Sequence, residues 1–266
     1  MAKELPKSAR VVIVGGGVIG CSIAYHLTKL GVSDVVLLER KQLTSGTTWH
    51  AAGLIGQLRD NHTMTALAQY TAELYKELEE ETGQATGYKI NGSLSTATNA
   101  ERMEDLVRRA DMAKVFGLQV DVLGPQGCKD HHPLIEVHDV VGGIFIPSDG
   151  QADPIGITQA LAKGARNGGA EIFENMLVND IITDGTKVTG VVTDEGTITA
   201  DSVVLACGMW TRELAGRLGV TVPLHACEHF YILTEPFEGV TPKQPDYRDY
   251  DHHAYFTEDA GKIKLG

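Results

Sequence analysis

Three groups of residues carry the chemistry of this 266-residue chain. The first is Gly15-Gly16-Gly17-Val18-Ile19-Gly20, which holds the pattern G-x-G-x-x-G at Gly15, Gly17 and Gly20. Glycines at those three places permit a tight turn, close approach of backbone to a pyrophosphate, and close packing of a helix on a strand. The second is Glu39-Arg40, 19 positions beyond Gly20 (39 − 20 = 19), near the spacing of ~20 expected of an acid that grips a ribose hydroxyl. An acid at this place favours an unphosphorylated ribose over a 2′-phosphate. The third is Thr47-Thr48-Trp49-His50-Ala51-Ala52-Gly53. It sets an imidazole beside the small residues Ala51, Ala52 and Gly53, and from these residues alone it reads as a loop histidine that hydrogen-bonds.

These groups need particular elements to hold them. Val11-Val12-Ile13-Val14 reads as a parallel strand buried on both faces. The pattern predicts a helix from about Val18 to Lys29, with Ile19, Ile23, Ala24, Leu27 and Leu30 as its inner face and Gly31 as its stop. Val35-Val36-Leu37-Leu38 is the second strand, with Glu39 at its carboxyl end. A dinucleotide's phosphates would then sit on the helix N-terminus, where free N–H groups and the dipole favour anions.

Further along, helices are predicted over Met64 to Glu81, over Ala100 to Phe116 with Asn99 as cap, and from Asp153-Pro154 to about Arg166. Strands are predicted over Gly92 to Ala97, Val141 to Pro147 and Ala170 to Val178. A hairpin over Lys187 to Thr199 turns at Asp194-Glu195-Gly196, and Val203 to Ala206 forms a further apolar strand.

Composition narrows the classes. The chain is 42% hydrophobic with 30 glycines, ordinary for an α/β protein. Its net charge of −12 argues against nucleic acid and anionic membranes as partners. Cys21, Cys128, Cys207 and Cys227 show no close pairing, so a reducing, cytoplasmic location is expected. No apolar stretch reaches spanning length and no signal-like segment precedes the first strand, so membrane insertion and export are not expected.

One metal motif fails on geometry. His225-Ala226-Cys227-Glu228-His229 matches H-x-x-E-H, but Pro223 and the Phe230-to-Thr234 run favour a strand over the helix it needs. On a strand the two histidines lie about 13 Å apart, too far for one ion. No metal site is expected.

Taken together, these stretches resemble the N-terminal part of the FAD-dependent amine oxidoreductases related to D-amino-acid and glycine oxidases, and within them the dimethylglycine and sarcosine dehydrogenase group. The resemblance rests on Gly15 to Gly20 with Glu39-Arg40, on Thr44 to Leu54, on Asp149 to Pro154 with Ala160 to Arg166, on Val203 to Trp210, and on Glu228 to Glu235. It implies a Rossmann-type FAD-binding domain of the glutathione-reductase kind, with parts at about 8–84 and 148–222. An antiparallel-sheet substrate subdomain is interleaved at about 85–147 and 223–266. The last residues, Lys262 to Gly266, carry no cap or polar tail, so the domain is expected to be truncated at its C-terminus.

The resemblance also implies roles. FAD would be bound by Gly15, Gly17, Gly20, Glu39, Arg40, Thr47, Thr48, Ala52, Val178, Ala206, Gly208 and Trp210, and joined covalently to His50. Tyr255, in Asp251 to Phe256, is the expected substrate-side residue, with His229 behind it. The implied reaction is oxidative demethylation of a small N-methyl amine of the dimethylglycine or sarcosine type by hydride transfer to flavin. Electrons would pass to an electron-transfer flavoprotein or to oxygen. Tetrahydrofolate would enter only through a C-terminal region that this chain lacks. Two alternatives stay open: a non-covalent glycine- or proline-type oxidase, and a non-catalytic subunit resembling the regulatory subunit of pyruvate dehydrogenase phosphatase.

Overall fold

The β-branched run at the N-terminus does form the centre of a parallel sheet. The computed structural model describes residues 4–266. In chain order the strands and helices are β1 (Ser8–Val14), α1 (Val18–Lys29), β2 (Val35–Leu38), β3 (Leu54–Ile55), α2 (His62–Thr82), β4 (Ser93–Ala97), α3 (Ala100–Val115), β5 (Asp121–Leu123), α4 (Pro125–His131), β6 (Gly142–Ile146), β7 (Gly150–Gln151), α5 (Pro154–Asn167), β8 (Glu171–Phe173), β9 (Val178–Thr183), β10 (Val188–Thr193), β11 (Gly196–Leu205), α6 (Thr211–Gly216), β12 (Ile232–Leu233), β13 (Asp246–Asp249), β14 (Ala254–Asp259) and β15 (Lys262–Leu265). Single 3-10 turns lie at Thr48–His50 and Gly208–Trp210. The chain divides into two compact units. One holds the described residues up to Ala51 together with Glu77–Thr86 and Pro154–Cys227. The other holds Ala52–Lys76, Gly87–Asp153 and Glu228–Gly266.

In the first unit six strands lie in the order β8-β2-β1-β11-β10-β9. The first four run parallel, and β10 pairs antiparallel with both its neighbours. Val12 sits between Val36 and Val203 in register. All four residues of β2 are buried, as a strand covered on both faces requires. Helix α5 presses on α1 at Gly164, where a side chain would strike the Tyr25 ring. The buried Tyr25 hydroxyl donates to Glu81 at 2.7 Å, and Lys29 pairs with the same carboxylate at 2.9 Å.

In the second unit seven strands lie in the order β12-β15-β14-β13-β4-β6-β5. Neighbours are antiparallel except β13 and β4, which are parallel, so this sheet is mixed rather than purely antiparallel. One face packs on α3 through Ala97, Leu106, Ala110, Ile144 and Ile146. The other packs Leu94, Cys128, Val140 and Tyr247, as the two-residue side-chain period of strands demands. Asn99 caps α3 as its sequence position predicts, accepting from the Arg102 amide at 2.8 Å.

Several local expectations are corrected. Ile19 and Leu30 are not on the inner face of α1: they are 62% and 80% exposed; Ala24 is buried as expected, and Gly20, Cys21 and Tyr25 are buried with it. Hydrophobicity alone overlooked that glycine and cysteine permit the close approach. The strand expected over Ala170 to Val178 is two strands. They are broken at Glu174 and Asn175, where Asn175 takes φ 57°. The hairpin arm and the apolar run ending at Leu205 are one ten-residue strand, β11. The Phe230-to-Thr234 run contributes only Ile232 and Leu233 to a strand, and residues 221–231 form neither helix nor strand. Asp251, His252 and His253 form a turn, with β14 beginning at Ala254.

Candidate functional site

At the carboxyl ends of β1, β2 and β11 the first unit opens a cleft of about 490 Å³, a size typical of small-molecule sites. Its floor is the glycine turn. Gly15 takes φ 113°, and a methyl group there would collide with the Ala206 carbonyl. A methyl on Gly20 would collide with the Gly15 carbonyl. Only hydrogen fits at either place, and the N-terminus of α1 is thereby brought up to the cleft.

The acid at the end of β2 is tied into this turn. Glu39 accepts the Gly16 amide at 2.7 Å and the Lys41 amide at 2.9 Å. The Thr48 hydroxyl accepts the Val18 amide at 3.1 Å, so the Thr47-Thr48 loop seats on the helix start. Arg40 lies 4.1 Å over the Trp210 ring, a cation–π contact that packs the loop after β2 on the turn after β11. Two thiols lie close by and neither is nucleophilic. Burial pushes Cys21 to about 12 and Cys207 to about 11, and only a thiolate attacks.

Of the residues expected to hold a dinucleotide, Gly15, Gly17, Glu39, Arg40, Thr47, Thr48, Val178, Ala206, Gly208 and Trp210 line this one cleft. Gly20 lies beneath it. His50 is exposed in the 3-10 turn, its ring 3.7 Å from that of Trp49, and is not among the lining residues. Ala52 belongs to the second unit. Sequence reading missed Ile19, Met176, Leu177, Glu213 and Arg217, which also line the cleft. The available signal was the pair Glu213 on α6 and Arg217 at its C-cap, four apart and 3.3 Å from each other, soon after the Gly208–Trp210 turn.

The residues of a dinucleotide site are therefore present and fit such a group. The glycine cradle admits no side chain, the helix start suits phosphate, and Glu39 stands where a ribose acceptor is needed.

In the second unit Tyr255 stands directly across from Arg248 in the β13–β14 pair, and Arg248 is in turn level with Ser95 on β4. Arg248 Nε is buried and meets no acceptor. Burial, then the neighbouring Arg248 charge, holds the pKa of Arg59 below its ordinary value. Burial pushes the Tyr250 phenol up, but the Arg109 and Arg248 guanidiniums outweigh it and leave it below its ordinary value. Tyr250 and Arg248 were absent from the sequence expectations. His229 lies exposed in the irregular segment, away from any element.

A family model described as FAD dependent oxidoreductase (DAO) matches residues 10–266. The chain belongs to the FAD dependent oxidoreductase family. Among curated relatives in this family, the 4-methylaminobutanoate oxidase (formaldehyde-forming) of Paenarthrobacter nicotinovorans is 42% identical over 98% of this chain and 32% of its own length. The mitochondrial sarcosine dehydrogenase of Homo sapiens is 41% identical over 100% of this chain and 29% of its own length. The chain thus spans about a third of these relatives. Among solved structures, the L-proline dehydrogenase of P. horikoshii superposes with a TM-score of 0.88 at 27% identity, covering 98% of this chain and 70% of the other. The glycine turn, Glu39 and the end of β11, which form the cleft, all lie within the matched residues. No helix among the described residues is long and apolar enough to cross a membrane.

Proposed function

We propose that this chain is the flavin-holding part of an enzyme that oxidises a small N-methylated amine of the sarcosine or dimethylglycine type. The observation that carries the reading is the cleft. Glycine turn, ribose acid, Thr47-Thr48 and the Ala206-to-Trp210 turn converge on it, in a chain more than 40% identical to two relatives whose names denote oxidation of N-methyl amino acids.

In this reading the α1 N-terminus receives the pyrophosphate and Glu39 holds the ribose hydroxyls. The Val178 backbone meets the adenine, and Ala206, Gly208 and Trp210 close on the flavin side. His50 supplies the imidazole for covalent attachment, and its exposed position leaves the ring nitrogens accessible. Bound FAD supplies the hydride acceptor, and the protein's part is to bind and orient. Tyr255 is the proposed amine-side contact, with His229 as a second candidate. Tetrahydrofolate would belong to a further region of a longer protein, and the electron acceptor would be an electron-transfer flavoprotein or oxygen.

Acid precipitation of the full-length protein tests this. Yellow pellet, with the flavin peptide mapping to His50 and bleaching by sarcosine or dimethylglycine, is the expected result. Flavin left in the supernatant moves the reading to a non-covalent glycine- or proline-type oxidase. Flavin that no amine bleaches overturns the enzymatic reading in favour of a non-catalytic subunit.

A further inference from the structure

A second group of residues, in the other unit, gathers two buried acids around shared hydroxyls. Asp246 and Asp149 are two buried acids of that unit, 1% and 2% exposed. They are supplied with hydrogen bonds unequally. Asp149 accepts the Gln57 amide at 2.8 Å and the Ser93 hydroxyl at 2.6 Å. Asp246 meets a single hydroxyl, that of Thr257, at 2.7 Å.

That hydroxyl is claimed twice. Thr257 Oγ1 also lies 2.9 Å from Gln151 Oε1. The Gln151 amide cannot be turned round, because its Nε2 donates to the Glu258 carbonyl at 2.8 Å. Gln151 Oε1 is therefore an acceptor only. A threonine hydroxyl has one hydrogen. If Asp246 were ionised, two acceptors would compete for that hydrogen, and one oxygen pair below 3 Å would have none between it. A proton on Asp246 removes the conflict: Asp246 donates to Thr257, and Thr257 donates to Gln151.

We propose that Asp246 is a neutral carboxylic acid in mildly acidic solution, at the head of a directed hydrogen-bond chain in which Asp246 donates to Thr257 and Thr257 to Gln151, stitching β13 to β14 and β7. The surrounding charges agree. Burial pushes Asp246 up to about 7, and the nearby Asp149 adds to the rise, while Thr257, Arg248 and Lys89 oppose it. Lys89 is already committed to Glu258 at 2.7 Å, and both Arg59 and Arg248 also face Asp149. With two buried acids and the donors concentrated on Asp149, the proton belongs on Asp246.

The consequence is a fold that loosens as pH rises. The folded value, about 7, is above the unfolded 3.8. Between them the folded state holds one proton more than the unfolded chain. The folding constant contributed by this group therefore falls by about tenfold per pH unit across that window and is level above it. None of this depends on the proposed activity.

The test compares the wild-type chain with Asp246→Asn, whose amide donates to Thr257 as the acid does. The ratio of their folding constants, from urea titrations at pH 5 to 8.5, is expected to fall in favour of the variant up to about pH 7 and then level off. A ratio that is flat or rises with pH overturns the proposal. Infrared titration of the wild type gives a check that needs no variant to fold. A protonated-carboxyl C=O band should persist at pH 6 and vanish with a midpoint near 7. Its absence at pH 6 equally overturns the assignment.

Discussion

Glu39 and Gly16 form one hydrogen-bonded unit: the carboxylate at the end of β2 receives the glycine-turn amide at 2.7 Å. The acid proposed to hold a ribose is thus held in place by the same turn that is proposed to receive the phosphates.

Glu39→Gln keeps the shape and removes the charge. In a His50→Ala background, where flavin is free to dissociate, FAD affinity is expected to fall roughly 10- to 100-fold, the range for a hydrogen bond to a charged group. Fluorescence titration of the apoprotein reads this. Unchanged affinity would show that Glu39 serves the turn alone.

Gly20→Ala places a methyl against the Gly15 carbonyl, and backbone on both sides leaves little room to give. Overpacking of this kind costs about 1–3 kcal/mol. Ile19→Ala, one residue earlier and exposed, should change stability by less than about 0.5 kcal/mol. Urea unfolding of the two variants side by side checks the contrast, and equal midpoints would refute it.

The cysteines should separate by depth. At a value of about 12 for Cys21, the thiolate fraction at pH 8 is on the order of 10⁻⁴. Iodoacetamide at pH 8 is expected to label the exposed Cys227 first and to leave Cys21 and the buried Cys128 untouched until the chain unfolds. As pH rises toward 11, labelling of the half-buried Cys207 should accelerate before that of Cys21, in the order of their values. Peptide mass mapping at two pH values reads the order.

Much of the cleft was legible in the chain itself, because its parts are local. A β-branched run, three glycines, an acid 19 positions on and an amphipathic helix dictate one another over about 30 residues through turn geometry and strand burial. β1, α1 and β2 accordingly lie at the expected places. The inner face of α1 was misread for a tertiary reason. Gly20 packs on the Gly15 carbonyl, and the large Tyr25 ring fits against α5 because Gly164 there carries no side chain.

The second unit was far less legible. Its sheet joins β4 to β13 across some 150 residues in parallel register, and no local pattern announces such a pairing. Arg248 meets Tyr255, and Asp246 meets Thr257, across the neighbouring β13–β14 pair, and the sheet that β4 completes sets these groups away from water. Sequence alone determined the glycine turn and the strand–helix–strand unit around it, since these depend on backbone freedom and spacing. Only the tertiary structure decided which charges face one another away from water, since burial and cross-strand neighbours set the cost of each charge and the protons that offset it.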